Sequence, residues 1–242
     1  MKVLLLAAGV GRRIGGEKGH PPKCLLKFNG KTLLHRHLEL LHLTEATEVI
    51  IGVGFKAEMI QAELNTLDAN GFASTIFNPR FEEGSNLTLW AAREVMTGDV
   101  LLMDADVLYD HRMLKALTNT SHRNCFLMDR DFEPGDEPVK LCVRNNKLIE
   151  FRKRIEIDYD FCGESVGFFR FDDEGCSLLM EACEHYTRQP DECYEEALRE
   201  VMLNAPDGTF GYEDVTGLPW TEIDFPEDIE KARKHILPRL EE

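Results

Sequence analysis

Short apolar runs alternate with amphipathic stretches along the first half of this chain, and this alternation limits the folds that it can adopt. The apolar runs, which are typical of buried strands, cover residues 2–6, 49–53, 73–77 and 100–103. Apolar residues recur at helical spacing in residues 32–43, 57–67, 87–95 and 111–117. Strands that alternate with helices predict an α/β fold with a mostly parallel sheet and helices on both faces.

The second half of the chain has a less regular pattern. Short strands are predicted at residues 125–129, 140–143, 148–151 and 166–171, and helices at 174–186, 194–203 and 227–235. The dipeptide Asn145-Asn146 is a turn signal between two of these strands, and Pro226 suits the first turn of the last helix. No repeat or linker interrupts the sequence, so we expect a single domain over residues 1–242 with a mixed sheet.

Composition limits the partners of the chain. Its 44 acidic and 28 basic residues give a formal net charge of −16. A chain this acidic has no general attraction for nucleic acid or anionic membranes, so we expect neither as a partner. No apolar run reaches the roughly 18 to 20 residues that cross a bilayer, and we expect no membrane insertion. A phosphate ligand must therefore be held locally, by a few basic side chains and by metal.

The N-terminal segment and the cysteines favour a cytoplasmic protein. The apolar start runs directly into glycines and lacks the cleavage site of a signal peptide, so it predicts a buried strand. The seven cysteines include no CxxC pair, and an odd number argues against a disulfide framework. We therefore expect reduced thiols. The sequence leaves the oligomeric state open, and a homodimer is compatible with it.

A glycine-rich segment follows the first predicted strand and is the most informative motif. It comprises Leu6-Ala7-Ala8-Gly9-Val10-Gly11-Arg12-Arg13, and Lys23 follows ten residues later. Small residues let the backbone approach a ligand, and successive N–H groups in such a turn form an anion site. Arg13 can bind phosphate oxygens in a forked geometry, and Lys23 supplies a compact positive charge. The segment therefore predicts a phosphate-binding loop.

This loop differs from the two most common glycine-rich motifs. A P-loop requires GxxxxGK[ST], which the sequence lacks. A dinucleotide-binding fingerprint requires GxGxxG, and Ile14 stands where its third glycine belongs. The prediction is therefore a phosphate loop of another class.

Two carboxylates follow the predicted strand at residues 100–103. Asp104 and Asp106 are two residues apart, so on an extended chain they point the same way, at a strand end where α/β proteins bind ligands. They could share one Mg²⁺, or one could bind metal while the other positions the substrate. Asp224 follows Glu222 in a second acidic element before Pro226, where it is either a helix N-cap or a further ligand.

The motif LAAGxGxR followed by PK resembles the signature of the sugar-phosphate and phospho-alcohol nucleotidylyltransferases. The resemblance implies a Rossmann-like nucleotide-diphospho-sugar transferase fold. It also implies that Arg13 and Lys23 hold the triphosphate and stabilise its transition-state charge, and that Asp106 and Asp224 bind the metal. The nucleotide site implied in this way comprises Leu6, Ala7, Ala8, Gly9, Gly11, Arg13, Lys23 and Asp104.

The middle of the chain narrows this resemblance. The segments around Asn78 and around Ser85-Asn86, together with residues 103–106 and 220–228, are similar to the bacterial phosphocholine and 2-aminoethylphosphonate cytidylyltransferases. The similarity extends over nearly the whole chain. It implies CTP as the nucleotide, with Asn78, Ser85 and Asn86 as contacts to the base and ribose. Polar caps at the start of helix 87–95 are the alternative role for these residues.

The acceptor site is less well defined by the sequence. A choline or ethanolamine head favours aromatic and acidic side chains, for which the candidates are Trp90, Tyr109, Tyr194, Trp220, Glu164 and Glu195. Residues 129–140 predict a charged loop over this site, with Lys140 and Lys153 meeting the acceptor phosphate. Because this loop matches neither branch closely, a polyol phosphate such as inositol or glycerol phosphate stays open.

Together these features predict transfer of CMP from CTP to a phospho-alcohol or phosphonate, with Mg²⁺ as cofactor and pyrophosphate as the leaving group. We expect residues 1–120 to bind the nucleotide and residues 121–242 the acceptor. A hexose-1-phosphate nucleotidyltransferase that uses UTP, GTP or dTTP is one alternative, and a non-catalytic nucleotide-binding regulator is another. Asp104-Ala105-Asp106 also fits the metal motif of glycosyltransferases of this fold. Arg13 and Lys23 argue against that class, which holds no leaving pyrophosphate.

Overall fold

The computed structural model describes residues 1–15, 19–189 and 193–240. Within these residues the strands, in chain order, are β1 (Lys2–Ala7), β2 (Lys27–Phe28), β3 (Lys31–Thr32), β4 (Glu48–Val53), β5 (Ala73–Phe77), β6 (Val100–Asp104), β7 (Val107–Tyr109), β8 (Asn124–Asp129), β9 (Lys140–Arg144), β10 (Lys147–Arg152), β11 (Phe161–Phe171), β12 (Phe210–Asp214) and β13 (Trp220–Glu222). The helices are α1 (Arg12–Gly15), α2 (Leu33–His42), α3 (Ala57–Thr66), α4 (Asn86–Ala91), α5 (His111–Asn119), α6 (Asp173–Tyr186), α7 (Tyr194–Asn204), α8 (Pro226–Lys231) and α9 (Leu237–Leu240).

One mixed sheet forms the centre of the molecule. Strands β5, β4, β1 and β6 lie side by side and run parallel. Strand β11 then pairs antiparallel with β6, and β8 and β9 pair antiparallel with β11. The prediction of a mostly parallel first half and a mixed sheet is confirmed. No helix of the described residues has the length and apolar character needed to cross a bilayer.

Apolar side chains fill both faces of the sheet, as the alternation along β1 requires. Val3 and Leu5 face a cluster to which buried residues of α2, α3 and α5 contribute. Leu4 faces the opposite cluster, to which α4, α6 and α7 contribute. The two buried layers hold the carboxyl ends of β1 and β6 in fixed positions.

Several elements differ from the sequence prediction. Helix α4 ends at Ala91 rather than at residue 95, and β11 begins at Phe161 rather than at residue 166. Strands β7, β12 and β13 were not predicted, because three to five residues give too little periodicity to identify a strand. The last helical segment continues from Pro226 through a π-helical turn at Ala232–Ile236 to Leu240.

The topology brings the predicted acidic residues to the phosphate loop. In the parallel β1–β6 pair, Leu6 lies opposite Asp104, so the glycine-rich loop and the acidic turn leave the same edge of the sheet. Strand β13 pairs antiparallel with β7, and the Ile223 N–H donates to the Asp106 carbonyl at 3.1 Å. This small ribbon carries Asp224 back to Asp106 across more than a hundred residues of sequence.

Candidate active site

A cleft of about 1170 Å³ opens at the carboxyl ends of β1 and β6. Its walls are the glycine-rich loop, the segment 131–139, part of β11 and the segment 217–225. Most of the residues predicted for the site line it, namely Leu6, Ala7, Gly9, Gly11, Arg13, Lys23, Ser85, Asp104, Asp106, Lys153, Glu164, Tyr194, Glu195, Trp220 and Asp224.

A smaller pocket of about 420 Å³ adjoins the cleft beside the glycine-rich loop. Ala8, the remaining predicted residue of that loop, lines this pocket. Ser85 and Tyr194 line both spaces, and the Tyr194 N–H donates to Ser85 Oγ at 3.1 Å. The pocket therefore extends from the phosphate loop along the start of α4.

Two predicted base and ribose contacts are buried away from the cleft. Asn78 donates from Nδ2 to Thr88 Oγ1 at 3.0 Å and accepts from the Arg80 N–H at 2.8 Å. Asn86 donates from Nδ2 to the Cys183 carbonyl at 3.0 Å. These bonds place both amides in the framework around α4, so direct contact with a nucleotide stays a prediction for them.

Three predicted acceptor contacts also lie outside the cleft lining, and one of them, Tyr109, is buried in the apolar core. Trp90 packs beneath Arg93, whose guanidinium carbon is 5.1 Å from the ring centroid. The Lys140 ammonium donates to the carbonyls of Gly135 at 2.7 Å and Lys153 at 2.6 Å. Lys140 therefore links the backbone at Gly135 to that at Lys153 and does not line the cleft, so its contact with the acceptor phosphate stays a prediction.

Lys23 connects the two predicted metal ligands. Its ammonium donates to Asp106 Oδ2 at 2.9 Å and to Asp224 Oδ1. Burial would lower the pKa of Lys23, but the charges and hydrogen bonds of the two aspartates outweigh burial and raise it above the usual value. The two aspartates therefore favour the charged form of Lys23 within the cleft.

Arg13 lies on the outer side of the same cluster. Its guanidinium is 3.2 Å from Asp224 Oδ2 and 3.3 Å from Glu137 Oε2, and it stacks over the Phe225 ring with a centroid distance of 5.2 Å. The Arg13 side chain is 48% exposed, so it can turn toward a ligand at little cost. The two cations predicted from the loop thus converge on Asp224.

A third carboxylate, Glu222, joins Asp106 and Asp224. Each of the three residues offers a ligand oxygen, and these atoms all lie within 4.8 Å of one another. Glu222 faces the cleft, where burial by its walls and the charges of Asp106, Asp224 and Asp104 raise its pKa well above the usual value. Hard oxygen ligands at this spacing fit a divalent cation. The i, i+2 relation to Asp224 on an extended strand is the signal that could have identified Glu222.

Asp104 is held by the wall of the cleft rather than by the cation cluster. The Tyr194 hydroxyl donates to Asp104 Oδ2 at 2.7 Å. Burial, with the charges of Asp106 and Glu195, raises the pKa of Asp104 well above its usual value. Asp104 and Asp106 are therefore different in environment: one is bonded to a tyrosine and the other to Lys23.

Gly167 in β11 packs directly against Asp104. Its φ is +78°, and a Cβ at this position would lie 2.3 Å from Asp104 Oδ2. We expect Gly167→Ala to lower the free energy of unfolding by about 2 kcal/mol through left-handed backbone strain and this overlap. Urea denaturation measures the effect.

Gly208→Ala is the matched control, because Gly208 has a similar φ of +83° and a Cβ added there would meet nothing within 4 Å. It should show the backbone strain alone and cost less. Equal losses in the two variants would contradict the packing of Gly167 against Asp104.

The wall of the cleft around Asp129 and Glu164, called the far wall below, is acidic. Asp129 is buried and accepts from the Trp220 indole N–H at 2.7 Å, so the polar atom of this tryptophan is already bonded. Burial raises the pKa of Glu164 to about 7. Lys153 is 3.4 Å from Glu137. This wall offers carboxylate acceptors to a ligand, with Lys153 as a cation at the rim.

Glu164 should make folding stability depend on pH. Its folded pKa of about 7 lies above the ordinary value of 4.5, so the folded state retains the proton more strongly. This contribution is present below about pH 4.5 and is lost as the pH rises through 7, by roughly 3 kcal/mol. Glu164→Gln, which cannot titrate, should show a smaller fall in unfolding free energy between about pH 5 and pH 8. Glu133→Gln is the control, because Glu133 is exposed. If the stability of Glu164→Gln depended on pH in the same way as that of the wild type, the effect of burial on Glu164 would be refuted.

This chain is similar to one described protein family and to several known proteins. A family model described as the MobA-like NTP transferase domain matches residues 3–157. The bifunctional IPC transferase and DIPP synthase of Thermococcus kodakarensis is 28% identical over 240 residues, which are 98% of this chain and 50% of that protein. The CTP:phosphoglutamine cytidylyltransferase of Campylobacter jejuni is 21% identical, with 95% of this chain and 98% of that protein covered.

The fold is shared with a solved structure. The inositol-1-phosphate CTP transferase from T. maritima matches with a TM-score of 0.78 and 19% identity, over 100% of this chain and 96% of that one. The Rossmann-like nucleotidyltransferase fold predicted from the loop motif is thereby confirmed. The chain spans about half the length of the first two curated relatives, 50% and 51%.

Proposed function

The chain belongs to the family of MobA-like NTP transferase domains, and on that premise we propose that it is a magnesium-dependent cytidylyltransferase. It transfers CMP from CTP to a phosphorylated alcohol or a phosphonate and releases pyrophosphate. The observation that carries this proposal is the position of Lys23, which lies beside the glycine-rich loop and donates to both Asp106 and Asp224. Cation, phosphate loop and paired carboxylates are the parts that phosphoryl transfer requires.

Asp106, Glu222 and Asp224 are the residues that would hold Mg²⁺. Their oxygens are close enough for one small ion to contact all three, and they are the ligand type that Mg²⁺ prefers. With Asp104, the cleft concentrates four carboxylates near two cations, Lys23 and Arg13, which leaves an acidic surplus that a divalent cation offsets. When bound, Mg²⁺ neutralises charge on the triphosphate and polarises its phosphoryl oxygens.

Residues of the loop bind and orient the triphosphate. Backbone N–H groups around Gly9 and Gly11 face the anion, and Gly11 adopts a φ of +65° that the turn requires. Lys23 exchanges one of its aspartate partners for phosphate oxygens, and Arg13 leaves Glu137 to do the same. Both cations then stabilise the charge that develops on the leaving pyrophosphate.

The acceptor supplies its own nucleophile. An oxygen of its phosphate or phosphonate group is already an anion and attacks the α-phosphorus in line, so no general base is needed. We assign residues 1–120 to nucleotide binding and residues 121–242 chiefly to the acceptor, with Glu222 and Asp224 as the metal ligands that the second half contributes. Lys153 and Glu164 border the acceptor end of the cleft.

We place the base and the ribose of the nucleotide in the smaller pocket along α4. The glycine-rich loop and Ser85 both line this pocket, and several of the loop residues also line the main cleft next to Lys23. The names of similar proteins, a phosphoglutamine cytidylyltransferase and an inositol-1-phosphate CTP transferase, support CTP as the nucleotide.

A hydroxylated acceptor fits the far wall better than a quaternary ammonium. The aromatic candidates Tyr194 and Trp220 are only 3% and 8% exposed, and each donates its polar hydrogen to an aspartate. They therefore present little open ring surface for a cation–π contact. Glu164 and Glu195 instead offer oxygen acceptors that suit hydroxyl groups. We propose a polyol phosphate as the acceptor class.

Product identification tests the acceptor. The protein would be incubated with CTP, Mg²⁺ and one of five acceptors: inositol 1-phosphate, glycerol 3-phosphate, phosphocholine, 2-aminoethylphosphonate or glucose 1-phosphate. Phosphorus NMR should show a new diphosphate diester with a polyol phosphate. A product with phosphocholine alone would overturn the polyol assignment and retain CMP transfer.

The cellular setting that we propose is the cytoplasm. All seven cysteines are free thiols, which fits a reducing compartment that also supplies CTP. The homodimer that the sequence leaves open stays a prediction.

A further inference from the structure

Two cysteines face each other across the strands at the acceptor side of the sheet. Cys142 in β9 and Cys162 in β11 are direct partners in the antiparallel ladder. Directly opposed residues in such a ladder project from the same face. Leu141 and Val143 belong to the apolar cluster on the other face, so the two cysteine side chains share the opposite one.

The hydrogen-bonding pattern of the ladder shows that the two cysteines lie close together. The Ser165 N–H donates to the Val139 carbonyl at 2.8 Å, which makes these opposed residues a hydrogen-bonded pair. Hydrogen-bonded and non-hydrogen-bonded pairs alternate along an antiparallel ladder, and Cys162 is three residues from Ser165. Cys142 and Cys162 therefore form a non-hydrogen-bonded pair, for which the Cα atoms are about 4.5 Å apart. That spacing lies within the range of roughly 4.4 to 6.8 Å for disulfides.

The two thiols differ in accessibility. Cys142 is buried, whereas Cys162 is half-buried beside Tyr159, which is 44% exposed. Burial and the neighbouring Cys162 raise the pKa of Cys142 to about 12, which is consistent with adjacent sulfur atoms. Cys162 is thus the thiol that an oxidant in solution reaches first, and Cys142 is the one positioned to respond to it.

We propose that Cys142 and Cys162 are a redox modification site that forms a reversible cross-strand disulfide. The oxidant is a low-molecular-weight disulfide such as glutathione disulfide. The Cys162 thiolate attacks one glutathione sulfur, forms a mixed disulfide and releases one glutathione thiolate. The Cys142 thiolate then attacks the Cys162 sulfur and releases the second glutathione. Two protein thiols are oxidised, one glutathione disulfide is reduced to two thiols, and the two protons pass to solvent or to the released thiolates.

This disulfide would cross-link one wall of the cleft. Glu164, which lines the cleft, is two residues beyond Cys162 in the same strand, and its ladder partner is Lys140. Lys140 in turn holds the loop carbonyls of Gly135 and Lys153. The modification therefore fixes the backbone on which the acceptor side of the cleft is built.

A peptide map of the folded, full-length protein tests the proposal. The reduced protein is treated with glutathione disulfide under native conditions, alkylated, and digested with trypsin, which cleaves after Arg144 and Arg154 and so separates the two cysteines. We expect the loss of both thiols of this pair and a linked peptide pair that contains Cys142 and Cys162. Cys142→Ser should instead retain glutathione on Cys162, and Cys193→Ser, which removes an exposed cysteine, should still form the linked pair.

The peptide map of the wild-type protein tests the disulfide proposal even if a variant folds poorly. Free Cys142 and Cys162 after treatment, or a stable glutathione adduct on Cys162 with Cys142 still free, would overturn the proposal. This outcome is independent of nucleotidyl transfer, since the assay contains neither nucleotide nor acceptor.

Discussion

Lys23→Ala should lower kcat/KM for CTP by about 10²- to 10³-fold, the loss expected when one fixed donor to a transition-state charge is removed. The Lys23 ammonium is the group that Asp106 and Asp224 share, and its pKa is raised, so it is always available as a cation. The variant should also be less stable without Mg²⁺, because the acidic cluster loses its internal counter-charge. Steady-state pyrophosphate release and thermal unfolding with and without Mg²⁺ measure the two effects.

The matched control is Lys27→Ala. Lys27 is exposed and lies four residues further along the chain, outside the cleft lining. It should have near-normal activity and an unchanged response of stability to Mg²⁺. Turnover of Lys23→Ala comparable to that of Lys27→Ala would remove Lys23 from the catalytic role.

Asp106→Asn should remove most of the metal-dependent activity. The amide preserves the shape of the side chain but takes away the charge that a divalent cation requires, and a loss of several kcal/mol of metal stabilisation corresponds to roughly 10³-fold in rate. Mn²⁺ binding to the free protein, followed by electron paramagnetic resonance, should weaken in parallel. The latter measurement does not depend on turnover.

Asp99→Asn provides the comparison, since Asp99 is an exposed carboxylate that immediately precedes β6 at the end away from the cleft. It should leave Mn²⁺ binding unchanged. An unaltered Mg²⁺ response in Asp106→Asn would transfer the ligand role to Asp104, whose raised pKa and bond to Tyr194 now argue against it.

Local patterns were sufficient for the parts of the site that lie close in sequence. The strand that ends at Ala7, the glycines after it and the carboxylates after β6 follow from composition and parallel-sheet topology. The resemblance supplied the pairing of Asp106 with Asp224. The ribbon that brings those two residues together, β7 with β13, is a long-range contact of very short strands, which single-sequence periodicity does not reveal.

Three predicted site residues that do not line the main cleft show a common limit of the sequence. Asn78 directly follows β5, and Asn86 and Trp90 lie near a predicted helix start; polar or aromatic residues at such positions can serve a binding site or the structural framework. Only the partners distinguish the two, and here the partners of the asparagines are Thr88 and the Cys183 carbonyl. Gly167 was missed for the opposite reason, because its importance comes from its distance to Asp104, which no local pattern encodes.

The choice of nucleotide is the most direct test of the assignment as a cytidylyltransferase. Lys23, Asp106 and Asp224 could bind any nucleoside triphosphate, so these residues alone do not distinguish CTP from UTP, GTP or ATP. The protein would be assayed with Mg²⁺, a polyol phosphate and each of CTP, UTP, GTP and ATP, with glucose 1-phosphate as the parallel acceptor, and pyrophosphate would be measured. We predict Mg²⁺-dependent release with CTP and the polyol phosphate that far exceeds release with the other nucleotides. Pyrophosphate release with UTP and glucose 1-phosphate, but none with CTP and any phospho-alcohol or phosphonate, would contradict the assignment as a cytidylyltransferase.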